Sequence, residues 1–453
     1  MQHSIVSEAK GLILLATPIV LASMAQILMH LTDMLMLGRY NSEQFAAAGI
    51  AGAMWFVPML VIMGSLQGVS ALIANAIGET SDHKVAKLFQ HGCWLAVGIA
   101  LITTLMLPLI ARMLLFTDIQ TEIVNHTMAY LDILALTLPA ATAYTIMRFY
   151  AEGIEYVMPM LIIQLIILPL NFLGNYALIY GNWGFPELGI RGAGYSSVFG
   201  FWLSAVMLYV ALKRSKRTQH YQPFVSFTKP QWKPIKVILM LGLPIAASMF
   251  LEHTLFLASF IMMGYFGTLE AAAHNIAMNY TEITFMVPLG IASALTVKVG
   301  NARGRGELSL AKLRGWTGIS LAAFFMFLSV FAILLFRHQI AAFYTPDQEI
   351  VSLAATFLIF AAIFQISDGT QVAAAGALRG MEDTRITMHI SLFAYWLIGL
   401  PVTVLFGFSL GFGGVGIWLG LIAGLTIAAI LMCWRFRWII HHESSLYSSG
   451  AAT

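Results

Sequence analysis

Long apolar runs separated by short polar stretches dominate the chain. A helix needs about 20 consecutive apolar residues to cross the hydrocarbon core of a bilayer, and twelve runs reach this length. The pattern therefore predicts an all-α polytopic membrane protein with twelve transmembrane helices. The predicted spans are residues 13–37, 45–73, 92–115, 128–147, 158–180, 193–212, 237–263, 271–297, 315–336, 350–377, 386–408 and 412–434.

The positive charges fall mainly on one side of these spans. Lys and Arg concentrate in the short cytoplasmic loops of membrane proteins. With the N-terminus inside, all but four of the 24 Lys and Arg residues lie in predicted cytoplasmic segments. The four exceptions are Arg39, Arg112, Arg191 and Arg337. We therefore expect both termini in the cytoplasm.

Composition agrees with a membrane protein and removes other classes. Charged residues make up 10% of the chain, whereas soluble proteins carry about 25%. The net charge of +3 is too small to indicate a nucleic-acid surface. The two cysteines, Cys93 and Cys433, lie in apolar runs and indicate no disulfide framework. The sequence contains no GxxxxGK[ST], HExxH or GxSxG motif, so we do not expect an enzyme.

The chain divides into two similar halves. The longest polar stretch, residues 213–236, separates six spans from six. Asn-Ala-Ile-Gly at 75–78 recurs as Asn-Ala-Arg-Gly at 301–304, and Gly-Ile-Glu at 153–155 recurs as Gly-Met-Glu at 380–382. Because each half has an even number of spans, we predict two pseudo-symmetric six-helix bundles related by an axis along the membrane normal. The predicted parts are an N-terminal lobe (1–212), a cytoplasmic linker (213–236), a C-terminal lobe (237–437) and a cytoplasmic tail (438–453).

Four carboxylates, Asp33, Glu252, Glu282 and Asp368, fall deep in apolar runs. Each costs about 2.5–3.5 kcal/mol on insertion scales, so such groups usually face a cavity or a partner. Glu252 and Asp368 lie about 24 Å and about 17 Å from the cytoplasmic ends of their spans, close enough in depth to share a site. Neither span contains Lys or Arg. The two acceptor-only groups must therefore be protonated or bind a cation, unless they form a structural hydrogen-bonded pair with one carboxyl neutral.

Three stretches resemble a known family. They are residues 243–246 (Leu-Pro-Ile-Ala) with 250–252 (Phe-Leu-Glu), 272–277 (Ala-Ala-His-Asn-Ile-Ala), and 364–380, which begins Phe-Gln-Ile-Ser-Asp-Gly-Thr-Gln. In these the chain resembles the multidrug and toxic compound extrusion (MATE) family, most closely its NorM-type branch, over nearly its whole length. The resemblance implies export of cationic, amphipathic organic compounds and drugs in exchange for Na⁺ or H⁺, with no other cofactor. We expect a monomer in the lipid bilayer of a bacterial inner membrane.

The resemblance also implies a coupling-cation site in the C-terminal half. Glu252 and Asp368 would bind the cation, with Na⁺ as the metal. Phe256, one helical turn after Glu252, would offer its ring to the cation, although core packing is the more ordinary role for a Phe. Phe364 stands where related transporters often have Tyr, so this chain lacks a hydroxyl at that position.

A second pocket is implied in the N-terminal half. Asp33 with Asn171 and Asn175 would form a proton-responsive or substrate pocket, while hydrogen bonding between helices is the alternative role for the asparagines. Gln26 occupies the position in the first half that Glu252 occupies in the second. The charge at this position is thus kept on one side only, which favours an asymmetric ion site.

Glu282 has two interpretations. It falls in the middle of its predicted span. In the first interpretation, it faces the substrate cavity and attracts cationic compounds. Alternatively, it forms a hydrogen bond with Asn279 or Thr281 nearby.

Two other functions stay open. A lipid-linked precursor flippase of the same superfamily would favour several membrane-embedded Arg or Lys residues to hold phosphates, and the spans have almost none. An intramembrane lipid-modifying enzyme would need a nucleophile–base or metal cluster near one membrane face. No such cluster is visible in the sequence.

The first testable prediction concerns orientation. A single cysteine placed in residues 213–236, in a chain whose Cys93 and Cys433 are replaced by Ala, should react in intact cells only with membrane-permeant thiol reagents. The reason is that this basic segment stays in the cytoplasm. Labelling by an impermeant reagent in intact cells would reverse the orientation.

Overall fold

The structure is a computed structural model that describes residues 4–225 and 228–450. Nearly all of these residues are helical, and neither range contains a β-strand. The all-α prediction is therefore confirmed. Residues 1–3 of the predicted N-terminal lobe, 226–227 of the linker and 451–453 of the tail lie outside the described residues.

The first half of the chain forms eight α-helices and two short 3₁₀ turns. They are α1 Ile5–Tyr40, α2 Ser42–Gly78, α3 Asp82–Ala111 with the 3₁₀ turn Arg112–Phe116, α4 Thr121–Ala135, α5 Thr137–Gly153, α6 Met158–Tyr180 with the 3₁₀ turn Asn182–Gly184, α7 Ile190–Arg214 and α8 Lys216–Tyr221.

The second half is built from longer helices and includes two π-helical segments. The elements are α9 Trp232–Gly264, α10 Thr268–Gly304, α11 Leu308–Tyr344, α12 Gln348–Gly380, α13 Thr384–Ser391, the π-helical segment Leu392–Gly399, α14 Leu400–Val404, the π-helical segment Leu405–Ser409 and α15 Gly413–Gly450. The sequence did not predict the two π-helical segments.

The predicted spans coincide with these helices. Eleven continuous helical stretches of the described chain are long and apolar enough to cross a membrane. The twelfth is the pair α4 and α5, Thr121–Ala135 and Thr137–Gly153, which is bent by 44° at Leu136. This pair contains the predicted span 128–147, so the chain is a multi-pass membrane protein with eleven to twelve spans.

The described chain divides into two compact units. One, here the C unit, contains the described parts of Met1–Val20, Gly78–Thr80 and Ala247–Thr453. The other, here the N unit, contains the described parts of Leu21–Ile77 and Ser81–Ala246. The divisions thus fall inside α1 and α9. The assignment of lobes to residues 1–212 and 237–437 stays a prediction.

The segment predicted as a linker is partly folded onto the N unit. It contains α8, and the side chain of Gln90 on α3 donates a hydrogen bond to the Pro223 carbonyl at 3.1 Å. The indole nitrogen of Trp94 donates to the Thr228 carbonyl at 3.0 Å. Pro223 and Thr228 therefore both lie beside α3.

The repeated Gly-x-Glu motifs adopt the same turn. Glu155 has φ = 56° and Glu382 has φ = 59°, both in the left-handed region that non-glycine residues seldom occupy. The amide of Glu155 donates to the Glu152 carbonyl at 2.9 Å, and the amide of Glu382 donates to the Arg379 carbonyl at the same distance. The repeat seen in the sequence is therefore also a repeat of backbone geometry.

Helices α10 and α12 pack closely in the C unit because small residues face each other. A Cβ atom added to Gly376 would lie 2.4 Å from the Ala292 carbonyl oxygen. The Thr296 hydroxyl, one turn further along α10, donates to the Gly376 carbonyl at 3.0 Å. Small residues of this kind let membrane helices approach closely, where packing replaces the hydrophobic effect as the force between helices.

We expect Gly376→Ala to lower the thermal unfolding temperature of the detergent-purified protein, because the new methyl group meets backbone and forces the helices apart, at a cost of about 1–3 kcal/mol. Gly98→Ala is the matched control, since a Cβ there meets nothing within 4 Å. It should leave the protein unchanged or slightly more stable, because Ala is the better helix former. Equal unfolding temperatures for the two variants would contradict the packing argument.

Candidate functional site

Two buried carboxyl groups of the C unit meet at one glutamine. Glu252 lies on α9 and Asp368 on α12, and the side chain of Asp368 is buried. Gln371, one turn after Asp368 on α12, donates a hydrogen bond from Nε2 to Glu252 Oε1 at 2.7 Å. Residues three apart on a helix share a face. The structure therefore brings the two predicted carboxylates to the same place, with the amide of Gln371 beside both.

One oxygen of the carboxyl pair lacks a hydrogen-bond partner in the part of the chain that the structure describes. The Oδ1 atom of Asp368 is buried and has no hydrogen-bond partner among the described residues. Glu252 and Asp368 lie close enough to interact electrostatically, and Arg379 at the end of α12 lies within electrostatic reach of Glu252. Two like charges in an apolar interior repel, so a proton or a metal cation is favoured between them.

Gln371 is itself held by a tyrosine that sequence reasoning missed. The hydroxyl of Tyr395 donates to Gln371 Oε1 at 3.1 Å, and Tyr395 is 1% exposed. The next residue, Trp396, donates its indole N–H to the Leu251 carbonyl at 3.3 Å. The spacing of Gln371 from Asp368 could have identified the glutamine, whereas nothing in the sequence connects the eleventh predicted span to Glu252.

The polar pocket of the N unit is centred on Asp33. Asn175 donates from Nδ2 to Asp33 Oδ1 at 2.5 Å, and the Ser197 hydroxyl donates to Asp33 Oδ2 at 3.5 Å. Asn175 also lies 3.3 Å from Asn171 Oδ1. All four side chains are buried. The structure thus brings together Asp33, Asn171 and Asn175 from α1 and α6, and adds Ser197 from α7, which the sequence did not suggest.

Comparison with known proteins identifies the family. A profile of the MatE family matches residues 18–177 and 244–405. The chain belongs to the MatE family. It is 36% identical over 435 residues to a protein named probable multidrug resistance protein NorM from Xanthomonas axonopodis pv. citri, covering 95% of this chain and 94% of that protein. It is 33% identical over 446 residues to the multidrug resistance protein NorM of Vibrio cholerae, covering 96% of this chain and 97% of that protein.

Solved structures show the same fold. One is described as the outward-facing conformation of a multidrug resistance MATE family transporter of the MOP superfamily. It superposes with a TM-score of 0.89 over 97% of each chain, at 20% sequence identity. The all-helical membrane architecture is therefore that of the MatE family.

Phe256 packs within an aromatic cluster of this MatE protein. Its ring meets the ring of Phe364 edge-on, with centroids 5.9 Å apart. Phe364 in turn meets Trp418 edge-on at 5.8 Å. Phe364 and Trp418 are almost fully buried. The cluster explains Phe256 as a packing residue, and its contact with a cation stays a prediction.

Gln26 and Glu282 stand apart from the two carboxyl sites. Gln26 is half-buried, two turns before Asp33 on α1, and does not join the hydrogen bonds of Asp33. Glu282 is exposed. The predicted alternative partners of Glu282 bond instead within their own helix: Asn279 donates to Asn275, and the Thr281 hydroxyl donates to the Met278 carbonyl. The structure therefore shows no hydrogen bond from Glu282 to either residue.

The carboxyl pair is not part of a larger cluster of metal-binding side chains in the described ranges. In the described ranges, no group of three or more His, Cys, Asp or Glu side chains is arranged to hold a metal ion. Glu252 and Asp368 supply two acidic groups, so the further ligands of a Na⁺ ion at this site would be uncharged oxygens.

Proposed function

We propose that the protein is a secondary antiporter that exports cationic, amphipathic organic compounds, drugs among them, in exchange for Na⁺ or H⁺. The observation that carries the proposal is the pair Glu252 and Asp368, two carboxyl groups inside the helices of a membrane protein, with one buried oxygen lacking a hydrogen-bond partner. The names of the relatives, which are multidrug resistance proteins, support efflux as the direction.

Coupling follows from differential binding. A coupling ion that binds the carboxyl pair more tightly in one conformation shifts the protein toward that conformation, and a drug that prefers the other shifts it back. In an alternating-access cycle, the two lobes would open the binding sites first to one side of the membrane and then to the other. This cycle would convert the competition between ion and drug into exchange. Glu282, as an exposed carboxylate on α10, would attract cationic compounds.

The proposed setting is the inner membrane of a bacterium. A monomer with both termini in the cytoplasm agrees with the distribution of Lys and Arg along the chain. Neither a lipid-linked precursor flippase nor an intramembrane lipid-modifying enzyme has a specific observation in its favour. The names of the relatives support drug efflux over both.

Drug transport by proteoliposomes under an imposed Na⁺ gradient, and separately under an imposed pH gradient, tests the proposal. The wild-type protein should transport a cationic drug such as ethidium under at least one of the two gradients. Glu252→Gln and Asp368→Asn should each reduce transport to the level of empty liposomes, because each amide removes the charge that binds the ion and keeps the shape. Both variants should be expressed and folded.

The double variant separates one site from two. If Glu252 and Asp368 act as a unit, a double variant built from partly active single variants should be no worse than either single variant. Independent sites would give losses that multiply in partly active variants such as Glu252→Asp combined with Asp368→Glu. Near-normal, gradient-dependent transport by either single amide variant would refute the proposed ion site.

Asp33→Asn tests the pocket of the N unit. Since the two oxygens of the Asp33 carboxylate accept from Asn175 and Ser197, an amide there replaces one acceptor oxygen with an NH₂ donor and removes the group that can take a proton. We expect transport to fall and its pH dependence to flatten, while the protein stays folded. Asp118→Asn, on an exposed residue between α3 and α4, is the control and should transport normally. An unchanged pH profile for Asp33→Asn would contradict the prediction and indicate that Asp33 has a structural role only.

A further inference from the structure

A π-helical segment lies directly against the carboxyl pair. Residues Leu392–Gly399 form one of the two π-helical segments of the second half. Such segments are rare and often occur at functional sites. Two consecutive residues of this one reach the surroundings of Glu252: Tyr395 through Gln371, and Trp396 through the Leu251 carbonyl.

The hydrogen bonds of Gln371 have a definite polarity. Because the Tyr395 hydroxyl donates to Oε1, the NH₂ group of the amide is turned toward Glu252, where it donates to Oε1 of the carboxyl group. A carboxylate only accepts hydrogen bonds. This orientation therefore suits a Glu252 that accepts, as the charged form does.

Binding of a proton or a metal cation changes which neighbouring groups Glu252 can interact with favourably. A protonated carboxyl group donates a hydrogen bond, and a hard cation beside it takes oxygen ligands. A bound cation, or the new O–H donor of a protonated Glu252, therefore favours the oxygen of the Gln371 amide as its neighbour, although the other oxygen of a protonated carboxyl group can still accept. The terminal torsion of a glutamine is broad and roughly two-fold, so the amide can turn over at low cost. The Tyr395 hydroxyl would then lose the amide oxygen that accepts from it in the ion-free state.

We propose that Gln371 is the positioning residue that senses whether the Glu252–Asp368 pair carries its ion, and that Tyr395 passes this state to the π-helical segment Leu392–Gly399. The inference rests on the proposed antiport function and adds to it a route between the ion site and a helix outside it. The ionisable groups around the amide are Glu252 on α9, Asp368 and Arg379 on α12, and Tyr395 itself.

Tyr395→Phe removes the hydroxyl and keeps the ring. Without that hydroxyl the amide loses the bond that directs NH₂ toward an empty Glu252, so the ion-loaded state gains relative to the ion-free state. In proteoliposomes we expect the half-saturating Na⁺ concentration for drug transport to fall about two- to tenfold, the effect of one buried hydrogen bond. If protons drive transport, the pH of half-maximal transport should rise. Maximal turnover should fall, because ion release becomes slower.

Gln371→Met provides the second variant. It removes the hydrogen bond to the charged Glu252 and also the amide oxygen that would face a bound ion, so the ion dependence should no longer respond to loss of the Tyr395 hydroxyl. The double variant should match Gln371→Met, because Tyr395 acts only through the amide. Additive shifts in the double variant would overturn the proposed route.

Tyr144→Phe is the matched control. Tyr144 is buried in the N unit, where its hydroxyl accepts a hydrogen bond from Gln164 at 3.2 Å, so the variant breaks a tyrosine–glutamine pair of similar size in another place. It should lower thermal stability at most and leave the half-saturating Na⁺ concentration and the pH midpoint unchanged. An equal shift in the control would show a general effect of losing a buried hydroxyl and would overturn the inference.

The outcomes distinguish the inference from the function on which it rests. Gradient-driven transport by the wild-type protein, with the same ion dependence in Tyr395→Phe, would overturn the inference and leave the antiport function standing. A loss of stability in Tyr395→Phe without a shift in ion dependence would do the same, since it indicates packing alone. Absence of transport by the wild-type protein under both gradients would overturn both.

Discussion

The cost of placing carboxyl groups in an apolar interior governs the chemistry of this protein. An ionised carboxylate without a charged partner is strongly disfavoured there. Asp33 and Glu252 nevertheless accept hydrogen bonds from uncharged donors, an asparagine and a serine for the first and a glutamine for the second. Amides and hydroxyls stabilise the charge in part and leave room for a proton or a metal cation. A lysine in the same place would neutralise the carboxylate permanently and remove the need for an ion.

The two repeats share their backbone more closely than their polar chemistry. The left-handed turns at Glu155 and Glu382 have nearly the same φ angle and matching backbone hydrogen bonds. The polar side chains differ: Gln26 stands in the first repeat where the second has Glu252, and the first repeat has Asp33 with its asparagines. Backbone turns are constrained by sterics in both copies, whereas a polar side chain on a helix can be exchanged without changing the fold. The asymmetry expected from the sequence is thus compatible with a symmetric scaffold.

Much of this architecture could be predicted from the sequence because its signals are local. Each span needs only its own run of apolar residues, and a carboxylate such as Asp368 is conspicuous within such a run. Contacts between distant helices leave no such signal: Tyr395 reaches Gln371 only because of how α12 and the π-helical segment pack. A π-helical segment depends on packing as well as on composition, so apolar length predicts a span there and nothing more. The exposure of Glu282 likewise depends on how α10 is turned against its neighbours, which the position of Glu282 within an apolar run does not reveal.

The division of α1 and α9 between the two units has a consequence for biosynthesis. The N unit extends to Ala246, so its last part leaves the ribosome only after the six spans that precede the linker have been made. The C unit includes the first part of α1. This part is synthesised before the rest of the C unit and can pack into it only after the rest has been made. In both helices the division falls two residues after a proline, Pro18 in α1 and Pro244 in α9. A proline within a helix removes one backbone hydrogen bond. Neither half of the gene therefore encodes a complete unit, and a chain interrupted at the linker would depend on its other half to finish both.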